Sequence, residues 1–143
     1  MKRIFVATDG SDGGTRAIVF AAHLAATSHV PLSIVAVSNP VPSTEMRAFG
    51  RMEHMTTGDL IDMEAQNLLR DARDRAALLG ATVEKWHALI GDPAEQILEV
   101  IGEYKPDLLV VGRRGRGRLA GLLLGSVSQK LVCLSTVPVT VVP

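Results

Sequence analysis

Two clusters of residues in the last third of the chain carry its most specific chemistry. Leu108-Leu-Val-Val-Gly112 runs into Arg113-Arg-Gly115, and nine residues later comes Gly125-Ser126-Val127-Ser128. Four apolar residues suit a short buried strand with glycine at its carboxyl end. A flexible Arg/Gly loop follows, and Gly-Ser then opens a new helix. Glycine lets a backbone approach a ligand with no Cβ in the way and tolerates positive φ. The free N–H groups and partial positive charge of a helix N-terminus attract phosphate. The Ser126 and Ser128 hydroxyls add donors or cap the helix. The pattern predicts a nucleotide phosphate pocket.

The rest of the chain must supply the scaffold. Residues 3–8 read as an apolar strand, followed by the turn Asp9-Gly-Ser-Asp-Gly-Gly14. Ser11 or Asp12 suits the cap of a first helix, whose Ala17, Ile18, Ala21, Leu24 and Ala25 recur at helical spacing and which Pro31 stops. Leu32–Val37 is a second buried strand. Residues 39–58, with two prolines, two glycines and three methionines, read as a long loop or partly helical excursion. A second helix is expected over about residues 59–79, with Leu60, Ile61, Ala65, Leu68, Leu69, Ala72 and Ala76 inward and Gly80 at its C-terminal cap. Thr82–Leu89 is a third strand. Asp92 and Pro93 suit the N-cap and first position of the next helix, with Ile97, Leu98 and Ile101 as its buried stripe. Leu108–Val111 follows as strand four. A helix from Ser126 is expected to bury Val127, Leu131 and Leu134, and Val137–Val142 closes the chain as a strand. Strands and helices in alternation predict an α/β fold: one doubly wound parallel sheet of five strands with right-handed crossovers.

Composition sets the outer limits. The 143 residues fit a single domain, 1–143, with no internal repeat. Hydrophobic residues make up 47% and aromatics only 3%, so the core must be aliphatic, as in a parallel sheet covered on both faces. The 15 basic and 15 acidic residues balance, which argues against nucleic-acid binding through bulk charge. No apolar run reaches the roughly 20 residues of a membrane span. The N-terminal apolar stretch ends at Asp9, too early for a signal peptide. A single cysteine, Cys133, fits a reducing compartment, and a cytoplasmic location is expected.

The spacing Gly-x2-Gly-x9-Gly-Ser resembles the ATP-binding signature of the universal stress protein family. The likeness extends to Ala7-Thr8-Asp9-Gly10-Ser11, Val35-Ala36-Val37, Gly125-Ser126-Val127-Ser128-Gln129-Lys130 and Val137-Pro138-Val139-Thr140-Val141-Val142. It implies the Rossmann-like strand order 3-2-1-4-5, which opens a crevice between strands one and four, where open α/β sheets bind ligands. Ala7-Thr8-Asp9 ends strand one and Gly112-Arg113-Arg114-Gly115 follows strand four, so the two motifs converge there. The resemblance further implies that the Val37 backbone hydrogen-bonds adenine. Gly112 and Gly115 would lie along ribose and phosphates, and Gly125, Ser126, Val127 and Ser128 would hold phosphate oxygens.

Asp9 has two readings. Beside phosphates a carboxylate must bind base or ribose hydroxyls, or a divalent cation such as Mg2+ or Mn2+ travelling with the nucleotide. Otherwise Asp9 makes an Asx turn or a helix cap. Arg113, Arg114, Arg116 and Arg118 either clamp phosphates, with Arg113 or Arg116 the better placed, or form a solvated loop. Two rival phosphate motifs fail. No lysine follows Gly125 as a P-loop requires, and Gly10, Gly13 and Gly14 are wrongly spaced for a dinucleotide fingerprint.

Other signals are assigned to structure. His23, His29, His54 and His87 lack metal-ligand spacing and read as surface or helix-face residues. Cys133 reads as core. Met46, Met52, Met55 and Met63 read as irregular core filling, with a partner surface or a lid as the alternative. The apolar, proline-bearing strand 137–142 belongs on a sheet edge, which a twin strand across a two-fold axis would protect. The expectation is a homodimeric, ATP-binding regulatory protein whose nucleotide state a protein partner senses. Slow ATP hydrolysis or self-phosphorylation is the enzymatic alternative, and an ATP-independent interaction module is the third.

Overall fold

Alternate residues of the first strand, β1 (Ile4–Thr8), enter two different cores, which places β1 at the centre of the fold. Ile4 and Val6 join one aliphatic cluster, while Phe5 and Ala7 join the other. The computed structural model describes residues 1–38, 41, 43–116 and 124–143. The elements that follow are α1 (Asp12–Ser28), β2 (Leu32–Ser38), α2 (Thr44–Met52), α3 (Thr57–Leu78) and β3 (Val83–Ile90). Next come α4 (Pro93–Tyr104), β4 (Leu108–Gly112), α5 (Ser126–Leu134) and β5 (Val139–Val142). The five strands form one parallel sheet in the order β3-β2-β1-β4-β5, as expected. Ile4 pairs with Leu32 of β2 on one side and with Leu108 of β4 on the other. The strand order reverses between β1 and β4.

Helices cover both faces. On one side Ala17, Ala21, Ala22 and Ala25 of α1 and Leu69, Ala72 and Ala76 of α3 pack on Ile4, Val6, Ile34 and Val110. Small alanine side chains let the helices sit close to the sheet. On the other side Ile97, Val100 and Ile101 of α4 and Leu131 of α5 cover Phe5, Val35, Leu109 and Val111.

Local signals set most helix ends. Ser11, Ser43, Thr56 and Asp92 each cap a helix through a side-chain oxygen, a contribution of about 1 kcal/mol apiece. Thr56 and Asp59 complete a capping box, so α3 starts two residues earlier than expected. α1 ends at His29, whose left-handed backbone (φ 53°) turns the chain before Pro31 is reached. Within 39–58 the excursion contains a true helix, α2.

Three expectations are corrected. Cys133 and Leu134 are exposed rather than core, because α5 buries only Ser128 and Leu131, one turn apart. Val127 is half-buried. Met52 is exposed and Met46, Met55 and Met63 are half-buried, so the methionines lie over the core's margin rather than fill it. β5 begins at Val139, since Pro138 has no N–H for the ladder; its carbonyl instead accepts from Leu109 N–H at 2.9 Å. Among the described residues no helix is long and apolar enough to cross a membrane.

Candidate functional site

A cavity of about 400 Å³ opens at the carboxyl ends of the strands, where β1 and β4 diverge. Ala7, Thr8 and Asp9 line it from β1, Val37 from β2, and Gly112 and Gly115 from β4 and its loop. Gly125, Ser126, Val127 and Ser128 line it from the start of α5. Of the residues expected to bind nucleotide, only Arg113 lies outside the lining. Its N–H donates to the Val142 carbonyl at 2.6 Å, and its carbonyl accepts from Gly125 N–H at 2.9 Å. Arg113 therefore braces the loop through its backbone, while Arg114 and Arg116 face the cavity. Arg118 lies outside the described residues.

The start of α5 differs from the other helix starts. Gly125 occupies its N-cap and no side chain caps it, whereas α1 to α4 are each capped. The first N–H groups of a helix have no intrahelical acceptor, so those of Ser126, Val127 and Ser128 are donors for an anion in the cavity. The Ser128 hydroxyl has another task. It donates to the Gly112 carbonyl at 2.7 Å and lies 3.2 Å from that of Arg113, clamping α5 to the end of β4. The hydroxyl is thus committed to the scaffold, and what Ser128 offers the cavity is its N–H.

Asp9 does make the Asx turn: its Oδ1 accepts from Ser11 N–H at 3.0 Å. Its Oδ2 accepts from Arg116 N–H at 3.0 Å, across the cleft mouth. Each oxygen keeps lone-pair capacity toward the cavity. Among the described residues no three His, Cys, Asp or Glu side chains converge on a metal site. Asp9 fits a divalent ion only as one ligand beside phosphate oxygens, which is how Mg2+ is commonly held.

Close backbone packing explains the glycines. A Cβ at Gly13 would strike the Arg114 carbonyl, one at Gly112 would strike the Gly13 carbonyl, and one at Gly115 would strike the Asp9 carboxylate. The first turn of α1 and the loop after β4 are thereby pressed together. In the sequence, Gly13 and Gly14 are only wrongly spaced for a dinucleotide fingerprint; the packing they serve is set by the fold.

Several lining residues escaped sequence reasoning. Gly91, Pro93 and Ile97 bring the start of α4 over the cavity, and Val111, Leu124 and Leu131 extend its apolar wall. Asp92-Pro93 was legible as a helix start, yet nothing local says that this start overhangs strand two. Gly91, with φ +135°, makes the turn that puts it there.

A five-stranded parallel sheet in the order β3-β2-β1-β4-β5, with a cavity at its switch point, defines a doubly wound, Rossmann-like α/β protein. The chain belongs to the universal stress protein family, which it matches over residues 1–143. It is 36% identical to universal stress protein YxiE of Bacillus subtilis (strain 168), over 98% of this chain and 97% of that one. A crystal structure of a universal stress protein in complex with cAMP superposes with TM-score 0.70 at 32% identity, covering 99% of this chain and 95% of the other. Universal stress protein UspA from Lactobacillus plantarum shares the fold, with TM-score 0.79 at 19% identity and coverage of 99% and 97%.

Proposed function

We propose that this protein binds an adenine nucleotide in the cavity between β1 and β4, with ATP and its Mg2+ or Mn2+ ion the leading candidate. A regulatory partner reads the bound or empty state. The observation that carries the reading is the α5 N-terminus, which opens into the cavity with no side-chain cap. Its uncapped N–H groups would receive phosphate oxygens. Val37, Pro93, Ile97 and Val111 in the lining offer apolar surface for a flat base. The volume lies within the about 300–1,000 Å³ usual for small-molecule sites. A 32%-identical relative crystallised with cAMP supports the adenine nucleotide class.

The working unit in this proposal is a homodimer joined through residues 137–142. β5 lies at the sheet edge, and Val132 and Leu134 of neighbouring α5 are exposed apolar residues. A twin strand would protect that edge. The lone cysteine, which is exposed, suits the reducing cytoplasm.

The test is calorimetric titration of ATP into nucleotide-stripped protein, with and without magnesium, beside Gly125→Val. A Cβ at residue 125 would lie 3.3 Å from the Arg113 carbonyl oxygen and 3.4 Å from Arg114 Cα, so a larger side chain must displace the cradle. Binding by the wild type that is lost in a folded Gly125→Val supports the site. Equal binding by both proteins removes it.

A further inference from the structure

Arg116 belongs to the cleft through its backbone and to α3 through its side chain. Its N–H is anchored on Asp9 Oδ2 at 3.0 Å, which fixes the pivot of the side chain at the cleft mouth. The guanidinium crosses Gly10 and meets Glu64 of α3, Nη1 to Oε1 at 3.2 Å. Gly10 leaves the path open. A Cβ there would lie 3.0 Å from Arg116 Nη2 and 2.9 Å from Leu68 Cδ1, and the backbone at φ +78° disfavours any other residue. Arg116 lines both the nucleotide cleft and a second cavity of about 340 Å³ on the α3 side, beside Glu64, Asn67 and Asp71. Arg116 thus borders both spaces.

The hold on Glu64 is weak. It is a single contact rather than a two-pronged one, and the side chains are 53% and 23% exposed. Pairs of this kind shift an equilibrium by a factor of about 1 to 5. A phosphate carries more charge, and its oxygens match the guanidinium fork in a bidentate way. A phosphate in the cleft therefore outcompetes Glu64 for the same cation.

We infer that Glu64, which lies outside the cleft, sets its preference for phosphate-bearing ligands by holding the Arg116 guanidinium until a phosphate takes it. The inference rests on the nucleotide reading above and adds a competitor to it. Glu64 acts here as a positioning residue, through Arg116. Phosphate binding releases Glu64 and loosens the tie between α3 and the loop after β4, a change that a partner on the α3 side can read.

The experiment is a double-mutant cycle read by calorimetry, with ATP and adenosine as probes. Glu64→Gln should tighten ATP about threefold and leave adenosine unchanged. Arg116→Gln should weaken ATP about tenfold, again sparing adenosine. With Arg116→Gln already present, Glu64→Gln should have no further effect. An unchanged ATP-to-adenosine ratio in Glu64→Gln overturns the inference. So does tightening that persists without Arg116, since that would be plain repulsion between Glu64 and phosphate. If the wild type binds neither probe, the nucleotide reading falls first and takes this inference with it.

Discussion

The Ser128 hydroxyl donates to the Gly112 carbonyl at 2.7 Å, joining the first turn of α5 to the last residue of β4. Sixteen residues separate the two in sequence, and the bond holds the uncapped start of α5 against the strand that borders the cleft. Ser128 is only 4% exposed, so water cannot easily replace its hydroxyl. Ser128→Ala is expected to cost about 1–2 kcal/mol of stability by leaving a carbonyl poorly satisfied. Urea unfolding would measure this, and nucleotide affinity should fall with it as the helix start loosens. A variant with unchanged urea midpoint and affinity would show that the clamp is dispensable.

Gly115→Ala probes the opposite wall. Its Cβ would collide with the Asp9 carboxylate, which also receives the Arg116 N–H. The loop must shift, and ATP affinity should drop at least about tenfold, a loss near 1.4 kcal/mol. Circular dichroism should stay native, because the change lies at the rim of the sheet. Native-like affinity would mean that the loop after β4 does not shape the site.

His87 gives the fold a pH dependence near neutrality. Its ring packs against Tyr104 at 4.9 Å and Phe5 at 6.2 Å, and its Nε2 is buried with no hydrogen-bond partner among the described residues. Burial lowers its pKa below the ordinary 6.5, with neighbouring Lys85 adding to the effect and Glu103 opposing it. The unfolded chain then takes up a proton at higher pH than the folded one. Stability is full above pH 6.5 and falls as pH drops through the folded-state value. His87→Phe keeps the aromatic contacts and should flatten the urea midpoint between pH 7 and 5. An identical slope in the variant would assign the pH dependence elsewhere.

Asp107 acts in a lower window. Its carboxylate accepts from the N–H groups of Lys2 at 2.6 Å and Arg3 at 2.9 Å, fastening the N-terminus beside the start of β4. These bonds hold its pKa below 3.8, Lys2 first and Arg3 second, so its stabilising effect is present above 3.8 and is lost as pH falls through the lowered value. Asp107→Asn should reduce the thermal midpoint at pH 7 and shrink the acid limb below pH 4. A variant with the wild-type acid limb would refute the assignment.

Much of the fold was legible because its signals are local. Ser11, Asp92 and Pro93 mark helix starts by capping chemistry, and the runs Ile4–Thr8 and Leu32–Ser38 are apolar enough to be strands buried on both faces. Errors arose where local and tertiary preferences part. The Thr56–Asp59 box was obscured by Gly58 in the first turn of α3, a poor helix former that the cap outweighs. Cys133 follows the helical stripe in type but not in place, since α5 is only nine residues long and meets the sheet along one narrow line.

The sequence by itself determined where a ligand site is to be expected. Glycines at Gly112, Gly115 and Gly125 followed by Ser126 suit close backbone approach and a helix start, and both properties belong to the residues themselves. Tertiary structure decided which atoms remain available for a ligand. Asp9 and Ser128 each look like ligand groups in the chain. In the fold, both Asp9 oxygens accept backbone N–H groups and the Ser128 hydroxyl is spent on Gly112, while Arg113 turns to the scaffold and Arg116 reaches Glu64. A polar group's chemistry is intrinsic, but its free valence depends on partners up to 107 positions away, and only packing brings them within hydrogen-bond distance.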